Sequence, residues 1–109
     1  MPAQRIDLPQ ATLDLLILRT LALGPQHGWG ISERVEQTSS GVLRIRQGSY
    51  PVLHRLERRG WIRARWRISE NNRRPKYYGL TQTGRRQHES ETDSWKKLTA
   101  AVAHVLGTA

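Results

Sequence analysis

The chain has 109 residues, 37% of them hydrophobic, which is enough for one modest core and too little for two independent ones. It contains no cysteine, so disulfides, thiolate zinc sites and cysteine nucleophiles are excluded. The net charge of +9 is unevenly placed: residues 44–86 hold thirteen Lys and Arg against Glu57 and Glu70, a balance of +11, while the segments on either side each come to −1. Solvated surfaces usually mix both signs, so a one-sign block of this kind points to a polyanion-binding face.

The first apolar run predicts a helix over residues 11–23, with Leu13, Leu16, Ile17 and Leu21 at helical spacing and Leu15 and Leu18 widening the stripe. Gly24 and Pro25 stop it. A helix this apolar has to be buried on most of its circumference, against its own domain or a second subunit. It is too short to cross a bilayer and is interrupted by Asp14, Arg19 and Thr20. The residues around Arg5, Asp7 and Pro9 do not resemble a secretion signal, so a cytoplasmic, nucleoid-associated protein is expected.

A second, short helix is predicted over 29–38, with Trp29, Ile31 and Val35 on its apolar side. Residues 42–46 alternate weakly and read as a short strand, and Gln47, Gly48 and Ser49 as a turn. The third helix is expected over 50–59, with Ser49 as N-cap and Pro51 in the first turn, where its missing N–H is no loss. Leu53 and Leu56, with Val52 beside them, form its apolar face; His54, Arg55, Arg58 and Arg59 form its basic one, and Gly60 ends it.

Over 61–69 the period switches to two: Ile62, Ala64, Trp66 and Ile68 alternate with Arg63, Arg65 and Arg67. Residues 70–74 have turn composition, and Pro75 opens a returning strand through Lys76, Tyr77, Tyr78 and Leu80. Thr81 then caps a final helix reaching Leu106, roughly 37 Å at 1.5 Å per residue.

Three helices followed by a two-stranded hairpin is the order of a winged helix-turn-helix, in a mainly α chain with a long carboxy-terminal helix. Residues 1–80 are expected to form the DNA-binding domain and 81–109 a dimerisation helix of the same compact unit. The charge block covers the third helix and the wing, where guanidinium and imidazole groups can meet base edges and phosphates. The strand arginines 63, 65 and 67 read as phosphate contacts or as a merely solubilising sheet face.

The sequence resembles the PadR family of transcriptional regulators, in its short type with a single carboxy-terminal helix. The resemblance rests on Leu13-Asp14-Leu15-Leu16-Ile17-Leu18, His27-Gly28-Trp29-Gly30-Ile31, Gln47-Gly48-Ser49, Tyr50-Pro51-Val52-Leu53-His54-Arg55-Leu56-Glu57 with Gly60, and Asn72-Arg73-Arg74-Pro75-Lys76-Tyr77-Tyr78 followed by Leu80-Thr81. It implies a dimeric winged-helix repressor whose first and last helices build the dimer interface. Two departures stand out. Family members usually carry a leucine between the residues matching Ser49 and Tyr50, absent here, and more often have tyrosine where this chain has Trp29.

The DNA contacts expected on this reading are Tyr50, His54, Arg55 and Arg58 in the third helix, with Gln47 and Ser49 before it, and Arg73, Arg74 and Lys76 in the wing. In the last helix, positions 88, 91, 95, 98, 102 and 105 alternate steps of three and four, as a helix–helix seam requires. The expected dimer interface comprises Trp95, Leu98, Val102, Val105 and Leu106, with Leu13, Leu16 and Ile17 from the first helix. Trp95 near the two-fold axis is also a candidate wall for a small, flat, apolar effector, or plain packing.

No convergent polar constellation is visible for an enzyme. His27, His54, His88 and His104 are dispersed, and His27 reads as a turn or capping residue. His88 and Glu91 share a helix face at i, i+3, the one spacing that faintly suggests a metal pair; no metal or cofactor is expected. The alternative reading is a winged-helix module that binds DNA or RNA without sequence preference, since a basic hairpin serves either purpose.

Overall fold

A computed structural model describes residues 8–45, 50–66 and 76–107. The elements in chain order are α1 (Gln10–Ala22), β1 (Gln26–His27), α2 (Gly28–Thr38), α3 (Tyr50–Arg58), β2 (Ile62–Trp66), β3 (Lys76–Leu80) and α4 (Gln82–Leu106). The three strands form one antiparallel sheet in the order β1-β3-β2. This is a winged helix with a long carboxy-terminal helix, as the order of sequence periods predicts.

Packing follows the apolar periods. Ile17, Leu18 and Leu21 of α1, Ile31 and Val35 of α2, Val52, Leu53 and Leu56 of α3, and Ile62 and Tyr78 of the sheet bury together. Burying one such aliphatic side chain is worth about 1.5–3 kcal/mol. The inner face of α3 therefore survives the missing leucine before Tyr50. Gly60, at φ +76°, adopts the left-handed conformation that terminates α3 and turns the chain into β2.

Two expectations are corrected. No strand forms over residues 42–45: Val42 lies in a bend and 43–45 are irregular, and Leu43 and Ile45 pack on the core without a strand partner, while Arg46 lies outside the described residues. The third strand is instead β1, whose Gln26 and His27 pair with Tyr78 and Tyr77. Two residues are too few to show a period, and only the tertiary pairing defines them.

The long helix α4 is fixed at its start. The Thr81 hydroxyl accepts from the Gly84 N–H (3.0 Å) and donates to the Gly60 carbonyl (2.6 Å), and the Thr81 N–H donates to the Trp61 carbonyl. Gly84 lies so close to that carbonyl that a Cβ there would sit 1.9 Å from its oxygen. Beyond this anchor α4 packs along α1. No described helix is long and apolar enough to cross a membrane.

Candidate nucleic-acid interface

With Val52, Leu53 and Leu56 buried, α3 turns Tyr50, His54 and Arg58 outward. Residues four apart lie one above another on a helix, so these three form a single ridge combining a phenol, an imidazole and a guanidinium. Tyr50 is 59% exposed, and its ring rests on α2 at Gly28, where a Cβ would come within 2.9 Å of the ring carbons. The first residues of α2 and α3 are thereby held together. The N-cap of α2 is His27, whose Nδ1 accepts from the Gly30 N–H at 2.8 Å, in line with the capping role read from the sequence. His27 also stacks on the exposed Trp29, with ring centroids 5.7 Å apart, and meets Tyr77 edge-on.

The base of the wing is tied to α3. Lys76 Nζ lies 3.9 Å from the carboxylate of Glu57 and over the rings of Trp66 and Tyr78, so part of its charge is spent on positioning the strand. Trp66 is 67% exposed although it alternates with the arginines, and its ring lies under the Lys76 ammonium. Gln47, Ser49, Arg73 and Arg74 lie outside the described residues.

Arg55 departs from expectation. Its guanidinium turns inward and forms a salt bridge with Asp14 of α1, the carboxylate being almost wholly buried and the arginine side chain only 22% exposed. The side chain expected to reach a base edge instead joins α1 to α3. Burial pushes the Asp14 carboxyl above its ordinary value, and Arg55 pulls it back down in part. Neither Asp14 nor the positioning roles of Gly28 and Glu57 were foreseen. A lone acid inside an apolar helical run was the available signal for the first, because such a charge needs a partner.

The residues expected at a subunit interface divide. Ile17 is fully buried in the core of its own chain and has no surface to offer a partner. Leu13 and Leu16 are half-buried, while Trp95, Leu98, Val102, Val105 and Leu106 are exposed by 42%, 54%, 45%, 86% and 70%. His88 is half-buried, with an Nε2 atom that has no hydrogen-bond partner among the described residues. No group of three or more metal-ligating side chains occurs among the described residues.

Known proteins share this fold. A transcriptional regulator from Clostridium thermocellum superposes with a TM-score of 0.78 at 23% identity, over 87% of this chain and 93% of its own. A PadR-like transcriptional regulator from Bacillus cereus gives 0.74 at 23% identity, over 86% and 90%. A PadR family transcriptional regulator from Eggerthella lenta gives 0.73 at 26% identity, over 89% and 80%. A protein from Lysinibacillus sphaericus is 25% identical over 95 residues, covering 86% of this chain and 87% of the relative. The profile of the transcriptional regulator PadR-like family matches residues 17–90, from the middle of α1 into the third turn of α4. With the helix order, the wing and the outward basic ridge of α3 all in agreement with that match, this chain belongs to the PadR-like family of transcriptional regulators.

Proposed function

We propose that the protein is a homodimeric repressor that binds a palindromic operator, reading each half-site with the Tyr50–His54–Arg58 ridge and gripping the backbone with the wing residues Arg73, Arg74 and Lys76. Gln47 and Ser49 belong to the same reading as contacts at the start of α3. The observation that carries it is the uncovered apolar stripe of α4, from Trp95 to Leu106. A single chain rarely leaves so continuous an apolar surface in water, and a recognition helix that reads one short half-site gains specificity from a two-fold copy. Leu16 of α1 lies beside Trp95 and Leu98 of that stripe, and the half-buried Leu13 belongs to the same reading. Between α1 and α4 lies an apolar groove of about 720 Å³, walled by Leu15, Leu16, Trp95 and Leu98, of a size suited to a small apolar effector.

Sedimentation at micromolar concentration is expected to find a wild-type dimer and a folded monomer for the Leu98→Asp, Val102→Asp variant. A folded wild-type monomer refutes the dimer. Selection from the source genomic DNA is expected to recover one palindrome, preferred over random duplex by about 10³ or more. No preference makes the protein a non-specific nucleic-acid binder instead.

A further inference from the structure

The face of the sheet turned away from α3 carries a groove of about 410 Å³ lined by two of the strand arginines, Arg63 and Arg65, which the proposed operator contacts leave out. Ile62, Ala64 and Tyr78 face the core, so alternation places Arg63, Arg65, Tyr77 and Gly79 on the opposite side. The register sets Arg63 across from Gly79 and Arg65 across from Tyr77. The two arginines are exposed, stand roughly 7 Å apart along β2, and make no ion pair with any described residue. Gly79 contributes backbone only, and Pro25, Tyr77 and Gln82 line the groove with the two arginines.

We propose that this groove binds a phosphate monoester, its dianionic group held between Arg63 and Arg65 and its organic part lying against Tyr77 and Pro25. Each guanidinium offers a fork of donors matched to phosphate oxygens, and two guanidinia balance a dianion, whereas one carboxylate leaves a cation uncompensated. The volume falls within the range of small-molecule sites. A concave surface on the far side of the sheet from α3 suits a small ligand better than the convex backbone of a duplex lying along α3. The glycine has a defined part: a side chain there projects into the groove beside Arg63, its cross-strand neighbour.

Calorimetry of the full-length protein with adenosine 5′-monophosphate tests this. Saturable binding of one nucleotide per chain is expected, tighter than that of inorganic phosphate. The Arg63→Ala, Arg65→Ala variant is expected to weaken it by about tenfold or more. Gly79→Val keeps both charges, and a Cβ at residue 79 meets only Pro25, at 3.8 Å or beyond; with its fold checked by circular dichroism, it too is expected to weaken nucleotide binding. Neither variant is expected to change the salt dependence of duplex binding. Absence of saturable binding up to about 1 mM nucleotide overturns the proposal. So does equal affinity for inorganic phosphate, which removes the organic half of the site. A flattened salt slope in the arginine variant, with Gly79→Val unchanged in both assays, reassigns the arginines to the duplex backbone.

Discussion

Replacing Arg55 by methionine keeps the length and apolar bulk of the side chain and removes the partner of Asp14. The Asp14 side chain is only 8% exposed, so the variant either buries a bare carboxylate or takes up a proton. Protonating a carboxyl of ordinary value 3.8 at pH 7 costs about 4 kcal/mol, which sets a ceiling. The loss of a charge-assisted hydrogen bond sets a floor of about 1.5 kcal/mol. Arg55→Met is therefore expected to destabilise by about 2–4 kcal/mol at pH 7, read from the urea midpoint at fixed protein concentration. The sign with pH follows from Asp14. Burial already raises its carboxyl, and losing Arg55 raises it further, so the folded variant keeps a proton that the unfolded chain releases. Its deficit against wild type shrinks as pH falls from 7 towards 5 and grows as pH rises through the folded value. Asp14→Asn is expected to cost less, because the better-exposed Arg55 can turn to water. An Arg55→Met protein within about 0.5 kcal/mol of wild type at all pH values, with preference lost at one operator position, refutes the structural role and restores Arg55 as a base contact.

Two further outcomes are expected. Gly84→Ala forces a Cβ into the Trp61 carbonyl, against backbone rather than a yielding side chain, and is expected to lower stability by about 3 kcal/mol or more in thermal unfolding, where an ordinary helical Gly→Ala change raises it. His88 is held below its usual value of 6.5 by burial and then by Arg19, with Glu89 opposing, so its contribution is intact above pH 6.5 and lost as pH falls through the depressed folded value. Stability measured between pH 7 and 5 is expected to fall less in His88→Gln than in wild type.

What could be read from the sequence depended on how many neighbours decide each residue's place. The inner face of α3 needed only its own spacing: Val52, Leu53 and Leu56 had to go inside, and Tyr50, His54 and Arg58 then lie outside at steps of four. Arg55 follows Val52 by three and borders the inner face, but its direction depends on Asp14, forty-one residues earlier. The short β1 depends on β3 in the same way, since two residues carry no pattern until Tyr77 and Tyr78 come to lie beside them. The weak alternation after Val42 was misleading because Leu43 and Ile45 are apolar for burial in the core, with no ladder to join.

The misplacement of Ile17 has a physical cause in α1 itself. This helix touches α2, α3, α4 and β3, so nearly every side of it is covered by something. A helix covered all round loses the polar stripe from which an inward face can be read. Leu13, Leu16 and Ile17 are equivalent in type and spacing, yet Ile17 faces the core while Leu16 lines the groove beside α4. Asp14 is the exception that orients the set. On a helix with apolar residues on every side, a buried acid has one favourable direction, towards the cation of α3, and once Asp14 faces Arg55 the rotation of the whole helix is fixed. The same contact that withdraws Arg55 from the DNA-facing surface thus decides which leucines of α1 are left for the groove and for a second subunit.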